Sequence, residues 1–180
     1  MEKRIAIVAT DGFEESELKS PRQAIEDQGW KAEIISLKSG KIKSWAEKDW
    51  GPEYDVDKTF GDADPGDYDA LLLPGGVISP DNLRTEEKVL EFVRHFFDRK
   101  KPVAAICHGP WTLINAGVVS MKKMTSYHTI RKDLENAGAN WVDQEVVVDN
   151  GLVTSRSPKD LPAFNLKMIE EIKEGIHARA

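Results

Sequence analysis

Residues 103–113, V-A-A-I-C-H-G-P-W-T-L, join a short apolar run to the start of a helix. The run at residues 103–106 is typical of a strand that is buried on both faces of a parallel sheet. Pro110 favours the first position of a helix, because its missing N–H leaves no donor unsatisfied there. Cys107 is therefore predicted to lie at a sharp strand-to-helix turn of an α/β fold.

Cys107 is the only cysteine of the chain, and His108 follows it directly. Hydrolases expose a serine or cysteine on such a turn and aim backbone N–H groups of the following helix at an oxyanion. The positive end of the helix dipole predicts that the thiol pKa falls from about 8.5 toward roughly 3.5–7.5, which gives a thiolate. A lone cysteine is more often a small buried apolar residue, but a thiol beside an imidazole at this turn favours a nucleophile.

The size and composition of the chain predict one domain over residues 1–180. Of the 180 residues, 40% are hydrophobic and 31% are charged, as in ordinary globular proteins. No stretch approaches the ~20 apolar residues of a membrane span. A single cysteine excludes an internal disulfide, and the first residues do not resemble a signal peptide, so we expect a cytoplasmic protein.

The charge of the chain argues against a nucleic-acid partner. The formal net charge is −6, and both signs are mixed along the sequence. The four histidines show no spacing typical of metal ligands. We therefore expect neither a metal ion nor another cofactor.

Apolar runs at residues 4–9, 32–37 and 69–73 predict three more buried strands. The first two flank a helical pattern that ends at Gly29, so they form a β-α-β unit with a right-handed crossover. Pro21 lies inside this pattern and predicts that the helix kinks or starts again there.

Residues 39–66 lack a helical pattern and predict a strand pair or an elaborated loop. Two tryptophans, Trp45 and Trp50, lie in this charged stretch. They are predicted either to be buried beneath the loop or to form a subunit contact, where tryptophan is enriched.

Three carboxylates, Glu14, Glu15 and Glu17, follow the first predicted strand. Such a cluster is common at the solvated start of a helix, where negative charge complements the helix dipole. Loops that follow parallel strands also meet at one edge of the sheet, so one of these carboxylates can instead approach Cys107. The sequence leaves both interpretations open.

The third of these strands ends in Pro74-Gly75-Gly76. The motif lacks the further glycines, lysine or hydroxyl of a nucleotide-binding loop, so a phosphate site is a weak interpretation. A glycine pair allows a close backbone approach, and an N–H of Gly75 or Gly76 is predicted to be a second oxyanion donor beside Cys107. Asp81 is placed in the loop that follows.

Two later helices carry predicted caps. Thr85 is expected to cap a helix whose apolar stripe faces the core, with His95 at the surface. The stripe consists of Val89, Phe92, Val93, Phe96 and Phe97. The last helix is predicted to start with Ser157 as its cap, Pro158 at the first position and Asp160 in a capping-box-like pattern.

Between these helices, residues 124–127 predict a short strand and residues 129–137 a helix. His128 follows the strand and is a minor candidate for a catalytic base. Asn150-Gly151, between two apolar runs, predicts a tight β-hairpin.

Six motifs in this order resemble the ThiJ/PfpI family over nearly the whole chain. They are the acidic loop with Glu14 and Glu17, L-L-L-P-G-G at 71–76, A-I-C-H-G-P at 105–110, T-S-Y at 125–127, E-V-V-V-D at 145–149 and T-S-R-S-P-K-D-L at 154–161. Members of that family are called intracellular proteases, general stress proteins and protein or nucleic-acid deglycases. The resemblance implies a flavodoxin-like three-layer α/β sandwich with a mostly parallel sheet, assembled as a homodimer or higher homo-oligomer.

The resemblance also implies roles for individual residues. Cys107 matches the nucleophile, Glu17 the carboxyl group that bonds its sulfur, and His108 the adjacent base. Asp81 matches an acid that orients this histidine across a subunit interface. Gly76 and the amide of His108 match the oxyanion site.

Two stretches are less clear in this comparison. Residues 119–122, V-S-M-K, depart from the Lys-Gly turn usual in the family. Residues 45–52 resemble the general-stress subgroup, without an assigned role.

If Glu17 lies beside the sulfur, it helps catalysis when it is protonated, because a second anion would repel a thiolate. We therefore predict a raised pKa for Glu17. We favour a cysteine-dependent enzyme that acts on carbonyl adducts, either a deglycase or a glutathione-independent glyoxalase. Two alternatives stay open: a peptidase with the same residues, and a redox-sensing or chaperone-like stress protein whose thiol is oxidised. The amidotransferase-like domain lacks the His-x-Glu partners of a glutamine amidotransferase, because Arg156-Ser157-Pro158 stands there instead.

Overall fold

The computed structural model describes residues 1–176, and a seven-stranded sheet lies at its centre. The strands are β1 (Arg4–Val8), β2 (Phe13–Glu14), β3 (Lys31–Ser36), β4 (Lys41–Ala46), β5 (Asp49–Asp55), β6 (Lys58–Thr59), β7 (Ala70–Leu73), β8 (Val103–Ile106), β9 (Lys123–Met124), β10 (Asn140–Trp141), β11 (Val147–Asp149) and β12 (Leu152–Ser155). The helices are α1 (Glu15–Glu26), α2 (Ile78–Leu83), α3 (Glu87–Asp98), α4 (Pro110–Ala116), α5 (Arg131–Asn136) and α6 (Leu161–Glu174). None of these helices combines the length and apolar character needed to cross a membrane.

The central sheet has the strand order β11-β12-β8-β7-β1-β3-β6, and every pair is parallel except β11 with β12. Helices cover both faces. One apolar cluster contains Phe96 of α3 and Leu113 of α4, and the other contains Leu18 of α1 and Phe164 of α6. Burial on both faces explains the unbroken apolar runs of the strands. The predicted three-layer α/β sandwich is confirmed.

The path of the chain creates a crevice at the carboxyl ends of the strands. From β1 the chain moves outward to β3 and β6, and it returns to β7 on the other side of β1. The connections after β1 and β7 therefore leave the sheet toward opposite faces and open a gap between them. The turn after β8 borders this gap, because β8 pairs with β7.

A separate three-stranded sheet of β2, β4 and β5 lies beside this crevice. Strands β4 and β5 form an antiparallel hairpin, which confirms the predicted strand pair. Phe13 and Glu14 of β2 pair in parallel with Ser44 and Trp45 of β4. The acidic loop expected after β1 is thus divided between β2 and the first turn of α1.

Helix α1 runs without a break through Pro21, so the predicted new start is wrong. Leu18, Pro21 and Ile25 are buried on the same side of the helix. Because proline removes one hydrogen bond of the helix, this packed face holds the turn together.

Two predictions around residue 80 are also wrong. Asp81 lies in α2 and not in a loop. Thr85 does not cap α3: its hydroxyl donates to the Asn82 carbonyl at 3.3 Å, and Glu86 occupies the cap position. The short helix α2 packs against α4, and this tertiary contact leaves no signal in the local sequence.

The predicted capping box at the last helix is wrong as well. Ser157 precedes a 3₁₀ turn at Pro158–Asp160 and makes no side-chain cap bond, and α6 starts at Leu161. The Asp160 carboxylate instead accepts hydrogen bonds from the backbone and guanidinium of Arg156. Charge-assisted bonds of this kind are stronger than bonds to a neutral donor.

The region between these helices agrees with the sequence in part. The strand expected at 124–127 is reduced to β9, and the helix expected at 129–137 is a 3₁₀ turn followed by α5. His95, expected at the surface, is half-buried and contacts Lys101. The hairpin is confirmed, with φ of 47° at Asn150 and 84° at Gly151.

We predict that Gly151→Ala lowers the free energy of unfolding by about 1–2 kcal/mol, because its positive φ brings a Cβ against the following carbonyl oxygen. Urea unfolding followed by circular dichroism measures the change. Gly61→Ala is the matched control, since a Cβ there meets Thr59 Oγ1 at 3.8 Å, an ordinary contact. Equal losses in the two variants would contradict the assignment of the cost to backbone conformation.

Candidate active site

The turn after β8 holds Cys107 in a left-handed conformation, with φ of 62°. Non-glycine residues rarely adopt this conformation, and such strain is concentrated at functional sites. A Cβ at Gly109 would meet the carbonyl oxygens of Leu73 and Ile106, so the turn requires glycine there. Pro110 then begins α4 as expected. The predicted strand-to-helix turn at Cys107 is present.

His108 lies against the sulfur of Cys107, with 3.2 Å between Nδ1 and Sγ. The imidazole stacks on Tyr127 with 5.0 Å between ring centroids and meets the edge of Trp111 at 4.9 Å. Its Nε2 lies 3.5 Å from the hydroxyl of Thr129. Burial lowers the pKa of His108, so the ring is neutral at pH 7 and can accept the thiol proton.

Glu17 is fully buried beside Cys107, which is the arrangement expected from the resemblance. Its Oε1 accepts a hydrogen bond of 3.0 Å from the N–H of Gly75. Burial, reinforced by the charge of Glu14, raises the pKa of Glu17 to about 8. The carboxyl group is therefore mostly protonated at neutral pH, and the prediction of a raised pKa is confirmed.

The lowered thiol pKa expected from the helix dipole is wrong for this site. Burial and the neighbouring Glu17 raise the pKa of Cys107, while the N–H groups of Gly76 and His108 act in the opposite direction. Cys107 is 7% exposed, so the sulfur has little water to stabilise a charge. At rest the site holds a thiol, a neutral imidazole and a protonated carboxyl group.

The two glycines after β7 have different roles. Because the N–H of Gly75 is bound to Glu17, the prediction that Gly75 supplies an oxyanion donor is wrong. The N–H of Gly76 interacts with both the sulfur and the carboxyl group of Glu17, and because it reaches the sulfur it stays a candidate donor together with that of His108. Gly76 has φ of 83°, and a Cβ there would meet the backbone of Gly12 and Glu14.

Asp81 does not reach His108 of its own chain. Its carboxylate forms an ion pair of 3.0 Å with Arg84, and 55% of its side chain is exposed. Arg84 in turn lies over the ring of Trp111, with 4.3 Å to the centroid. The role of Asp81 across a subunit interface stays a prediction.

Cys107, Glu17 and His108 face a cavity of about 580 Å³. Its other lining residues are Gly12, Glu14, Trp45, Gly76, Val77, Ile78, Tyr127, Thr129 and Pro158. Within residues 1–176, no group of three or more His, Cys, Asp or Glu side chains is placed to hold a metal ion. His128 is exposed and does not line the cavity.

Sequence reasoning missed Trp45, Tyr127 and Thr129 as cavity residues. Trp45 reaches the cavity because β4 pairs with β2, which is a contact between distant parts of the chain. Tyr127 belongs to the T-S-Y motif of residues 125–127, and this motif was the available signal.

Comparisons with known proteins agree with this fold. Residues 3–171 match the model of the DJ-1/PfpI family. The chain is 47% identical over 166 residues to general stress protein 18 of Bacillus subtilis, which covers 92% of this chain and 95% of that protein. It is 46% identical over 166 residues to protein/nucleic acid deglycase 2 of Escherichia coli, which again covers 92% of this chain and 95% of that protein.

A solved structure supports the same assignment. The crystal structure of Drosophila melanogaster DJ-1beta matches with a TM-score of 0.84 and 27% identity, over 97% of this chain and 95% of that one. The chain belongs to the DJ-1/PfpI family. The resemblance seen in the sequence and the flavodoxin-like fold that it implied are confirmed.

Glu17→Gln keeps the shape of the side chain but cannot ionise. Because the pKa of Glu17 is raised to about 8, we expect alkylation of the wild-type Cys107 by iodoacetamide to rise with pH in two coupled steps, one of them near pH 8. The variant should titrate in one step. The measurement is the alkylation rate constant as a function of pH, and identical profiles would show that the carboxyl group and the thiol are not coupled.

Proposed function

We propose that this protein is a cysteine-dependent enzyme that removes 2-oxoaldehyde adducts from amines and thiols, and that converts the released carbonyl compound to a 2-hydroxy acid. The contact of 3.2 Å between Cys107 Sγ and His108 Nδ1 at the cavity carries this proposal. The relative named a deglycase supports the substrate class.

The first step is the addition of sulfur to the aldehyde carbon. As the S–C bond forms, the thiol proton moves to Nδ1 of His108, and the carbonyl oxygen gains the negative charge. When the substrate is an amine adduct, sulfur displaces the amine: the S–C bond forms, the C–N bond breaks, and the amine leaves with the proton that His108 took from the thiol. The N–H groups of Gly76 and His108 stabilise the oxyanion, an effect of about 3–4 kcal/mol per donor in measured enzymes.

The second step converts the thiohemiacetal to a thioester. His108 first gives the thiol proton to the oxyanion, which completes the thiohemiacetal and leaves the imidazole neutral. It then removes the proton from the former aldehyde carbon and delivers it to the adjacent carbonyl carbon, while the hydroxyl proton passes to the adjacent carbonyl oxygen, so one carbon is oxidised and its neighbour is reduced. Water then hydrolyses the thioester to a 2-hydroxy acid and restores the thiol. The protonated Glu17 adds no negative charge next to the reacting sulfur during these steps.

We predict that Cys107→Ser abolishes lactate formation from methylglyoxal, and that His108→Ala lowers kcat by about 10²–10⁴-fold, because each step moves a proton through the imidazole. His95→Gln is the matched control: it lies on α3, does not line the cavity and should retain wild-type activity.

The same three variants should be tested on a fluorogenic peptide. Peptide cleavage that needs Cys107, without lactate formation, would replace this proposal with a peptidase. Inactivity on both substrates, together with a gain of two oxygens at Cys107 in mild peroxide, would favour a redox sensor.

We further propose that the enzyme is a homodimer or higher homo-oligomer in which Asp81 orients His108 of a second copy. Within residues 1–176 of one chain, no carboxylate bonds Nε2 of His108. Asp81 is exposed on α2, near Val77 and Ile78, which are 53% and 40% exposed at the cavity rim. A carboxylate from a neighbouring copy would fix the imidazole for proton transfer.

Mixed dimers test this arrangement. Cys107→Ser alone should be inactive. Asp81→Ala alone should lower the activity by about tenfold or more, because His108 is less well oriented. In a purified dimer with one copy of each, the intact Cys107 receives Asp81 from its partner, so about half of the wild-type activity should return. A mixed dimer as inactive as Asp81→Ala alone would show that Asp81 does not act between subunits.

A further inference from the structure

The β2-β4-β5 sheet places an acid and two indoles in one row. Glu14 of β2 pairs with Trp45 of β4, and Trp45 pairs with Trp50 of β5. Side chains of directly paired residues lie on the same face of a sheet. Glu14, Trp45 and Trp50 therefore form a continuous row, which is named the Glu14–Trp50 row below.

The inner end of the row belongs to the cavity that contains the thiol. Glu14 and Trp45 line this cavity together with Cys107. Trp50 lies outside, where it is 44% exposed and meets Trp45 edge to face, with 5.4 Å between ring centroids. The ring of Trp50 thus packs against the ring of Trp45, which lines the cavity.

The charge at the inner end has no counterpart in the described chain. Among residues 1–176, no lysine or arginine forms an ion pair with Glu14. Burial raises the pKa of Glu14, a hydrogen bond from the hydroxyl of Ser16 acts in the opposite direction, and the neighbouring carboxylates Glu15 and Glu47 raise it further. The lining of the cavity includes no lysine or arginine either. A cation is the ligand that this environment favours, and a phosphate is one that it disfavours.

The outer end of the row already holds a cation. The ammonium group of Lys43 lies 5.7 Å from the ring centroid of Trp50. Cations are attracted to the face of an indole, and a planar guanidinium can stack on it while it donates to a carboxylate. Trp45 with Glu14 offers a guanidinium both contacts at once.

We propose that Glu14 and Trp45 form a subsite for a planar cationic group, such as the guanidinium of an arginine side chain that carries the carbonyl adduct. This inference rests on the proposed function, because it selects among the adducts on which such an enzyme could act. The subsite holds the cation on the hairpin side of the cavity while the adduct carbon faces Cys107. Adducts on neutral thiols and on phosphate-bearing compounds lack this contact.

Protection of the thiol tests the subsite without any need for turnover. Nα-acetylarginine methylamide should slow alkylation of Cys107 by iodoacetamide in the wild type, and the neutral isostere Nα-acetylcitrulline methylamide should not. Trp45→Leu and Glu14→Gln should each raise by about tenfold the concentration of the arginine compound that gives half-maximal protection. This is the effect expected when one cation contact is lost. Glu53→Gln is the matched control, because it removes an exposed carboxylate of the same hairpin that does not line the cavity.

Turnover of adducts gives a second readout. Trp45→Leu and Glu14→Gln should lower kcat/KM for the methylglyoxal adduct of the arginine derivative by about tenfold, and should change that of the matching cysteine derivative less than twofold. Equal losses on the two adducts, or equal protection by the arginine and citrulline compounds, would overturn the subsite. If no adduct is processed but charge-selective protection holds, the subsite stands and the proposed function fails.

Discussion

The close approach of strand ends around Cys107 is the constraint on which the rest of the site depends. A Cβ on Gly75 would meet Cys107 and the Ile106 carbonyl, and one on Gly109 would meet the Leu73 carbonyl. In this crowded turn the backbone of Cys107 takes a left-handed conformation, which costs about 1–2 kcal/mol for a residue with a Cβ. The parallel pairing of β8 with β7 and β12, buried on both faces, supplies the rigid frame that maintains the conformation.

Burial at this turn also determines the charge state of the site. Glu17, His108 and Cys107 are each shifted toward their neutral forms, and removal from water is the largest cause for all three. A neutral resting site avoids the cost of holding an isolated charge away from water. In the proposed reaction, charge would develop as sulfur adds to a substrate, close to the N–H groups of Gly76 and His108 that interact with the sulfur.

The features that the sequence predicted correctly are those with local causes. The apolar runs of the strands, the turn at Cys107 and the Asn150-Gly151 hairpin are encoded by neighbouring residues. Two errors have distant causes: Asp81 lies in a short helix that packs against α4, and Gly75 donates to a carboxyl group 58 positions away along the chain. The error at the last helix is local, because Asp160 bonds Arg156, four positions away, in place of completing a cap. The thiol pKa was mispredicted because the helix dipole is visible in the sequence, whereas the depth of burial depends on the assembled layers.

The β4–β5 hairpin has no backbone pairing with the central sheet in the described part of the chain; it is attached through β2. Residues on its cavity face can therefore be exchanged without disturbing the hydrogen bonds that hold the nucleophile. Engineering of this hairpin would therefore reshape one wall of the cavity and leave the turn at Cys107 in place.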